Sequence, residues 1–168
     1  MTELVSCHDL SANFRLAMRR LAATVSIVTC ADERGRHGMT ATAVTSVSVK
    51  PPTILVCINS EARLYSKVAK QQRFCVNLLK VSHVALSERF GSRDYEQDRF
   101  AVGDWSELDG LPYLRDSQAS LFCSTEQFIT AGSHGIFVAR TDRIMIADEV
   151  EPLLYRDGGY ASSQAVSP

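Results

Sequence analysis

A run of small, hydroxylated and β-branched residues extends from Gly38 to Val49 and carries no charge from Met39 onward. This composition is typical of a buried strand. Alternate residues of a strand point to opposite faces, so the run has one polar and one apolar face. The polar face holds Thr40, Thr42, Ser46 and Ser48, and the apolar face holds Met39, Ala41, Ala43, Val47 and Val49.

The polar face has two interpretations. Hydroxyls and nearby backbone N–H groups can bind a ligand with many acceptors, such as a ribityl chain, a phosphate or the edge of a flavin ring. Alternatively, the hydroxyls pair with neighbouring strands and bind nothing. Composition alone favours the second interpretation.

Hydrophobic periodicity predicts the other elements. Leu10, Phe14 and Leu21 recur on one face of an amphipathic helix over 9–23. Shorter helices are predicted over 61–70, with Ser60 as N-cap, and over 82–90. Alternation predicts strands over 24–30, 53–59, 73–79, 117–130 and 135–146, and a short one within 152–160.

Turn signals indicate how these elements connect. Polar turns at 32–38 and 131–134 predict hairpins. Residues 92–114 are richer in charge, glycine and proline and lack alternation, which predicts an irregular excursion over the sheet. Together the signals predict a mainly antiparallel barrel with a few short helices. No Gly-Xaa-Gly-Xaa-Xaa-Gly follows a strand, so no Rossmann site is expected.

Composition is that of an ordinary globular protein. The chain has 168 residues, of which 45% are hydrophobic and 22% charged, and its formal net charge is −1. We expect a single domain over 1–168, with an ordered core of about 9–160 and a mobile tail over 161–168. A pI near 6.4 without a basic cluster indicates no nucleic-acid partner.

The termini and cysteines bear on location and metal binding. The N-terminus has no signal-peptide pattern and no apolar run is long enough to span a membrane, so we expect a cytoplasmic protein without a membrane partner. The cysteines are spread along the chain with no Cys-Xaa-Xaa-Cys, which indicates reduced thiols and no metal site. They are Cys7, Cys30, Cys57, Cys75 and Cys123.

Several sequence blocks follow one another from residue 14 to about residue 160. They are Phe14-Arg15-Xaa-Ala17-Met18, Val25 to Thr29, Gly38-Met39-Thr40-Ala41, Ser46-Val47-Ser48 with Pro51-Pro52, Val56-Cys57-Ile58-Asn59, Phe74 to Leu79, Ser87-Glu88-Arg89-Phe90 and Pro152-Leu153-Leu154-Tyr155. In this order and spacing the chain resembles the short-chain flavin reductases, the reductase components of two-component flavin-dependent monooxygenases. The resemblance implies the FMN-binding split barrel, an antiparallel Greek-key split β-barrel with short helices.

The resemblance also implies an activity. Such an enzyme transfers hydride from NADH or NADPH to FMN or FAD and supplies reduced flavin to a separate monooxygenase. It further implies a homodimer with the flavin at the subunit interface. The choices between FMN and FAD and between NADH and NADPH stay open. NADPH requires a cationic contact to its extra phosphate, for which the candidates are Arg36, Arg93, Arg99 and Arg156.

The resemblance assigns cofactor-binding residues to several blocks. Asn59, Ser60 and Arg63 lie where the family holds the ribityl phosphate, and Asn77 lies in a block that borders the flavin. Tyr155 and Tyr160 line the nucleotide site. The hydroxyl-rich strand supplies hydroxyl and N–H donors from Thr40, Ala41, Thr42, Ala43, Ser46, Val47 and Ser48. From the residues alone, Asn77 can equally pair with backbone groups, and the tyrosines can equally be core residues.

His134 is the candidate catalytic residue and a further cofactor contact. It lies in a strand connection beside glycines, and it aligns with a Gly-Asp-His block that the family uses near the nicotinamide nucleotide. Here the middle residue is Ser133, which removes a carboxylate that can orient the imidazole. In the excursion, Phe100 or Trp105 can cover a flavin ring by stacking, or can simply hold the loop in place.

Two other functions fit the same fold. One is a pyridoxamine-phosphate-oxidase-like enzyme that uses flavin as a fixed oxidant. It is disfavoured because a phosphate-bearing substrate attracts several Arg and Lys side chains, and here these are spread along the chain. The other is a non-catalytic flavin-binding module, which retains flavin tightly and oxidises no nicotinamide.

Overall fold

The computed structural model describes residues 9–92 and 98–166, and Cys7, Arg93 and the rest of 93–97 lie outside the described residues. In the described ranges the helices are α1 (Leu10–Met18), α2 (Arg63–Gln71) and α3 (Val84–Gly91), with 3-10 turns at Val81–His83 and Arg99–Ala101. The strands are β1 (Ala23–Thr24), β2 (Ser26–Asp32), β3 (Gly35–Ala41), β4 (Val44–Val49), β5 (Pro52–Asn59), β6 (Arg73–Leu78), β7 (Trp105–Leu108), β8 (Leu111–Leu114), β9 (Ala119–Ala131), β10 (His134–Ile146), β11 (Leu154–Arg156) and β12 (Gly159–Ala161).

Seven strands form one sheet in the order β3-β2-β6-β9-β10-β5-β4, with every neighbouring pair antiparallel. A small sheet contains β1, β11 and β12, and β7 pairs with β8. The prediction of a mainly β, antiparallel fold with short helices is confirmed. The large sheet is not closed into a barrel, because β3 and β4 lie at its two edges and no pairing joins them in the described part of the chain.

The predicted strand over Gly38–Val49 is divided in two. β3 pairs with β2 on one edge of the sheet, whereas β4 pairs with β5 on the other, so Thr42 and Ala43 form a corner between them. The prediction of one buried strand was therefore wrong. β4 lies at an open edge, and its Val49 side chain is 82% exposed. Local composition indicates an extended chain, but it does not specify the pairing partner on which burial depends.

The core lies between the large sheet and α2. Leu64 and Val68, one turn apart on α2, are buried as the pattern predicted. They pack in a cluster that includes Val56, Phe74 and Phe137. Burial of each such side chain contributes about 1.5–3 kcal/mol to folding. This packing fixes α2 and its first turn beside β3.

A second cluster holds α3 against the other side of β3. Phe90 of α3 is buried with Ile27, Leu114 and Leu153. Gly38 of β3 is required here, because a Cβ at this position would lie 2.7 Å from Cε1 of Phe90. β3 is thus placed between two helices.

The N-terminal helix is shorter than predicted and does not bury its apolar face. α1 ends at Met18 rather than near residue 23, and its residues include no buried side chain. Leu10 is 66% exposed, and Phe14 and Leu16 are also exposed. Its apolar face is therefore left largely exposed by the described part of this chain.

The predicted hairpin at 131–134 is confirmed, with Gly132 and Ser133 as the turn between β9 and β10. The hairpin of β7 and β8 lies within the predicted irregular excursion. Its turn is Asp109-Gly110, in which both residues have positive φ. Asp-Gly is a preferred sequence for such a two-residue turn, so this dipeptide is a sequence signal for the hairpin.

The described cysteines are free thiols: Cys30, Cys57, Cys75 and Cys123. Burial raises the pKa of Cys30 and of Cys123 to about 12, which makes these two thiols unreactive. Within the described ranges, no helix is long and apolar enough to cross a membrane. Among the same residues, no group of three or more His, Cys, Asp and Glu side chains is placed to hold a metal ion.

Candidate functional site

A cleft of about 600 Å³ lies between the edge of β3, the first turns of α2 and the 3-10 turn at Arg99–Ala101; we call it the β3–α2 cleft. Its lining residues are Arg36, His37, Gly38, Arg63, Leu64, Ser66, Lys67, Asp98, Arg99 and Phe100. Among these described lining residues cations outnumber carboxylates, which favours an anionic ligand. Arginines and lysine that are dispersed in the sequence are thus gathered in the fold, so their dispersal does not argue against a phosphate-bearing ligand.

Asp32 holds two of the basic side chains at this cleft. Its Oδ1 lies 2.7 Å from His37 Nε2, and its Oδ2 accepts a hydrogen bond from Lys67 Nζ at 2.7 Å. Hydrogen bonds from His37 and Lys67 hold the pKa of Asp32 well below its usual value of 3.8. The carboxylate is therefore ionised at neutral pH and fixes the ammonium group. Within the described ranges, two N–H groups of Lys67 remain for a ligand, because an ammonium has three donors.

Arg99 ties the edge of β3 to the end of α3. Its guanidinium donates hydrogen bonds to the carbonyl oxygens of Gly38 and Phe90, both at 3.0 Å, and to that of Ser92. Five donors in one planar group make arginine suited to such a multiple contact. Arg99 thus fixes the 3-10 turn against β3 and adds a positive charge to the cleft wall.

Phe100 closes one end of the β3–α2 cleft. Its ring packs edge-on against Phe90 and Trp105, with centroid distances of 5.1 and 4.9 Å. The Arg36 guanidinium lies over the same ring, 4.6 Å from its centroid. The ring therefore supports a cation at the cleft wall. A flavin could stack on the face of Phe100 that Arg36 covers only after Arg36 moved away.

A second cleft, of about 420 Å³, lies between the end of β3, α3 and the hairpin of β11 and β12. It is lined by Val25, Thr40, Ala41, Thr42, Ser87, Glu88, Gly91, Ser92, Tyr155 and Tyr160. Five of the predicted cofactor-binding residues, Thr40, Ala41, Thr42, Tyr155 and Tyr160, therefore share this cleft. We call it the tyrosine cleft.

Hydroxyl contacts fix the wall of the tyrosine cleft. Thr40 Oγ1 donates to the carbonyl oxygen of Ser87 at 2.6 Å, and Ser87 Oγ lies 2.9 Å from the Tyr160 hydroxyl. The Tyr155 and Tyr160 rings meet edge-on at 5.5 Å. Thr40 and Tyr160 thus hold neighbouring elements together, whereas Thr42 and Tyr155 are exposed to a ligand.

A third group of predicted residues lies at the turn of the β9–β10 hairpin. His134 pairs with Asn59 across β10 and β5, and the backbone N–H of Ser60 donates to the carbonyl oxygen of Ser133 at 2.9 Å. His134 is exposed, and its Nδ1 lies 3.0 Å from the Ser133 hydroxyl. The structure therefore brings His134 to the segment that leads into α2 and the β3–α2 cleft.

The sequence predicted Ser60 as the N-cap of α2, and this prediction was wrong. The cap is Ala62, whose side chain makes no capping hydrogen bond. Asn59 instead accepts the N–H of Glu61 through Oδ1 at 2.9 Å, which forms a turn just before the helix. Arg63 and Leu64, the first two residues of α2, line the β3–α2 cleft, and the helix start has no side-chain cap.

Asn77 does not line either cleft; it is a core residue. It is fully buried, and its Nδ2 donates to the carbonyl oxygen of Ile27 at 3.0 Å. Its Oδ1 accepts hydrogen bonds from Leu114 N and Ser120 Oγ, at 2.8 and 3.0 Å. These partners leave the amide no accessible group for a flavin, so its assignment as a cofactor contact was wrong.

The remaining predicted residues lie at the corner and along β4. Ala43 is exposed, and its carbonyl oxygen accepts the N–H of Cys57 at 3.0 Å. Ser46 and Val47 are exposed and Ser48 is half-buried on the same edge strand. The predicted polar face is therefore open to a ligand or to another subunit rather than packed inside the sheet.

Local sequence patterns did not identify Lys67 and Asp32 as site residues. They gave Arg36 and Arg99 as candidates for a phosphate contact but did not place them in the fold. These four residues come from β2, β3, α2 and the 3-10 turn, so only the tertiary fold brings them together. The Ser-Thr strand, by contrast, stood out because its unusual composition is local. Arg156, another candidate for a nucleotide phosphate, is exposed on β11 and lines neither cleft.

Comparison with known proteins decides the family. The sequence model of the flavin reductase like domain matches residues 18–164. The chain belongs to this family. The predicted relationship is confirmed, and it covers both clefts and the hairpin turn.

Named relatives match most of the chain. The reductase component of FADH2-dependent resorcinol hydroxylase from Rhizobium sp. strain MTP-10005 is 37% identical over 155 residues, covering 90% of this chain and 86% of that protein. The FMN reductase (NADH) RutF of Variovorax paradoxus strain S110 is 40% identical over 150 residues, covering 89% and 83%. The solved NADH:FAD oxidoreductase SgcE6 of Streptomyces globisporus C-1027, in complex with NAD and FAD fragments, has a TM-score of 0.88 at 25% identity, covering 99% of this chain and 98% of that one.

Proposed function

We propose that this flavin reductase family member is an NADH-dependent flavin reductase that supplies reduced FMN or FAD to a separate monooxygenase. The observation that supports this most is the cationic β3–α2 cleft, in a chain 40% identical to an FMN reductase (NADH). The relationship to the reductase component of a resorcinol hydroxylase supports the monooxygenase partner. Use of NADH and four free described cysteines support a cytoplasmic location.

The flavin phosphate fits the β3–α2 cleft. The volume of about 600 Å³ is within the range of cofactor sites. Arg63 and Lys67 on α2, with Arg99 opposite, supply charged donors, and the uncapped first turn of α2 adds N–H groups and a favourable dipole. Arginine and lysine bind phosphate through charge-assisted hydrogen bonds. We assign these residues to the phosphate end of the flavin.

The flavin ring fits the corner at which β3 leads into β4. Both strands are sheet edges, so their outer N–H and C=O groups have no strand partner among the described residues. Thr42 and Ala43 form this corner, and the exposed Ser46 and Val47 and the half-buried Ser48 follow it on β4. We propose that these groups hydrogen-bond to the polar edge of the ring. Thr42 and Tyr155 of the tyrosine cleft adjoin the same corner.

The chemistry is a hydride transfer from the nicotinamide to the flavin, in which NADH is oxidised and the flavin is reduced. The protein's residues then have positioning roles. The cations of the β3–α2 cleft orient the flavin, and His134 contacts the nicotinamide nucleotide. No strongly basic side chain is needed.

The test is nicotinamide oxidation by the purified full chain. NADH or NADPH is combined with FMN, FAD or riboflavin, and the nicotinamide absorbance is followed in air. We expect turnover that requires added flavin, is faster with NADH and falls in the His134→Ala variant. Oxygen consumption driven by an amine substrate without nicotinamide would instead identify an oxidase. Tight flavin retention without nicotinamide oxidation would identify a flavin-binding module.

We further propose that the chain forms a homodimer. Apolar side chains are exposed on β4, toward the C-terminal ends of β9 and of β10, and on α1. They are Val47, Val49, Phe128, Ile129, Ile144, Met145, Ile146, Leu10, Phe14 and Leu16. Exposed apolar side chains on four elements are characteristic of a protein interface. A second copy with the same surfaces covers them by two-fold symmetry.

Light scattering coupled to gel filtration tests the dimer. We expect a mass of two chains for the native protein and of one chain for Ile146→Glu, which places a charge on the apolar end of β10. The matched control is Val166→Glu, an exposed residue beyond the last strand, which leaves the mass unchanged. A native protein of single-chain mass at micromolar concentration would contradict the proposal.

A further inference from the structure

Ser133 and His134 form a side-chain pair at the turn of the β9–β10 hairpin. The Ser133 hydroxyl lies 3.0 Å from Nδ1 of the imidazole, within hydrogen-bond distance. Both side chains are exposed. One imidazole nitrogen, Nδ1, is therefore in contact with protein, and Nε2 has no hydrogen-bond partner in the described part of the chain.

Three backbone contacts hold the main chain of Ser133 and His134 in place. The Ser133 carbonyl oxygen accepts the N–H of Ser60 at 2.9 Å, and His134 pairs with Asn59 on one side and Ala131 on the other. Gly132 has φ +57°, the left-handed conformation that completes the two-residue turn. The remaining freedom of His134 is therefore rotation of its own side chain.

The next residue restricts the turn further. A Cβ on Gly135 would lie 2.6 Å from the Tyr65 ring and 2.7 Å from the Phe128 ring. The Tyr65 ring packs edge-on against Phe128 and Phe137, and Phe128 and Phe137 meet at a tilted angle. The start of β10 is thus held close to a rigid aromatic cluster, and His134 projects from a well-defined position.

We propose that Ser133 is a positioning residue for His134, an inference that rests on the proposed function. The Ser133 hydroxyl donates to Nδ1, which places the ring proton on Nε2 and limits ring rotation. Nε2–H then donates to an acceptor oxygen of NADH, of the carboxamide or phosphate class. A hydroxyl can act in this way, whereas a carboxylate at the same position only accepts and favours the opposite tautomer.

The expected effect of removing the Ser133 hydroxyl is modest, because Ser133 and His134 are both exposed to solvent. A neutral hydrogen bond of this kind changes an equilibrium by about two- to tenfold. Because the contact orients a group that binds NADH, its loss raises the KM for NADH more than it lowers kcat. The KM for the flavin is unchanged.

A double-mutant cycle on the full chain tests the proposal. The variants are Ser133→Ala, His134→Ala and both together, with Ser133→Thr to restore the hydroxyl and Thr130→Ala as a control that removes an exposed hydroxyl from the end of β9. We expect Ser133→Ala to raise the KM for NADH about two- to tenfold, Ser133→Thr to restore it and Thr130→Ala to leave it unchanged. In the His134→Ala background, Ser133→Ala has no further effect.

A second measurement does not depend on turnover. NMR relaxation of the His134 ring C–H bond reports its motion, and we expect larger motion in Ser133→Ala than in the native chain. Full activity and unchanged ring motion in Ser133→Ala would overturn the proposal, as would an equal loss in the His134→Ala background. A native chain without NADH-dependent flavin reduction would overturn the proposed function instead, and the ring motion would still decide whether Ser133 restrains His134.

Discussion

Replacing Lys67 by methionine is expected to raise the KM for FMN about tenfold, because a charge-assisted hydrogen bond to phosphate contributes about 1.5–3 kcal/mol and solvent exposure reduces that value. Lys67 lines the β3–α2 cleft, with its ammonium fixed by Asp32. Riboflavin has no phosphate, so its KM is expected to stay within about twofold of the native value. Steady-state kinetics with both flavins at saturating NADH measure the difference.

The ratio of the KM for FMN to the KM for riboflavin distinguishes a loss of phosphate binding from a general loss of enzyme structure. Lys70→Met is the matched control, since Lys70 is an exposed lysine on the same helix and does not line the cleft. It is expected to leave both KM values unchanged. Equal increases for FMN and riboflavin in Lys67→Met would show that the phosphate does not bind beside Lys67.

Asn77→Leu is expected to lower the free energy of unfolding by about 3–5 kcal/mol, since each buried polar group left without a partner costs about 1–3 kcal/mol. The leucine leaves the N–H of Leu114, the hydroxyl of Ser120 and the carbonyl oxygen of Ile27 without their Asn77 partner. Urea denaturation of the native and variant chains measures the change.

A variant with a smaller expected effect tests whether the loss of stability comes from the hydrogen bonds of Asn77. Ser120→Ala removes one of the donors to Asn77 and is expected to cost about 1 kcal/mol. A stable Asn77→Leu variant that had lost flavin binding would show that the residue serves the cofactor after all. A large and similar loss of stability in both variants would indicate that Ser120 has a separate structural role.

Local patterns predicted the strands well, because alternation of apolar and polar residues is a property of neighbouring positions. β5, β6 and β10 lie within a residue or two of their predicted ranges. The division of the Gly38–Val49 run was not predictable in this way. Both halves have the same composition, and only their pairing with β2 and β5 separates them.

The same limit applies to the candidate site. His134 and the hydroxyl-rich strand could be identified because each has a distinctive local sequence. The cleft with Arg36, Lys67 and Arg99 could not, since its cations are about thirty residues apart and depend on the docking of α2 and α3 on β3. The role of Asn77 was misjudged because a lone amide within an apolar strand is equally compatible with a ligand contact and with a buried hydrogen-bond network.

The open edge of β4 also affects how the protein behaves while it is being made and stored. Val44 to Val49 contains only valine, serine and threonine, without charge or proline, whereas the other edge strand, β3, carries Arg36 and His37. An uncharged edge of strong strand-forming residues is a template for strand addition between molecules. Whatever covers β4 in the working protein therefore also protects it from aggregation, and newly synthesised chains that have not yet acquired that cover are the population most exposed to this risk.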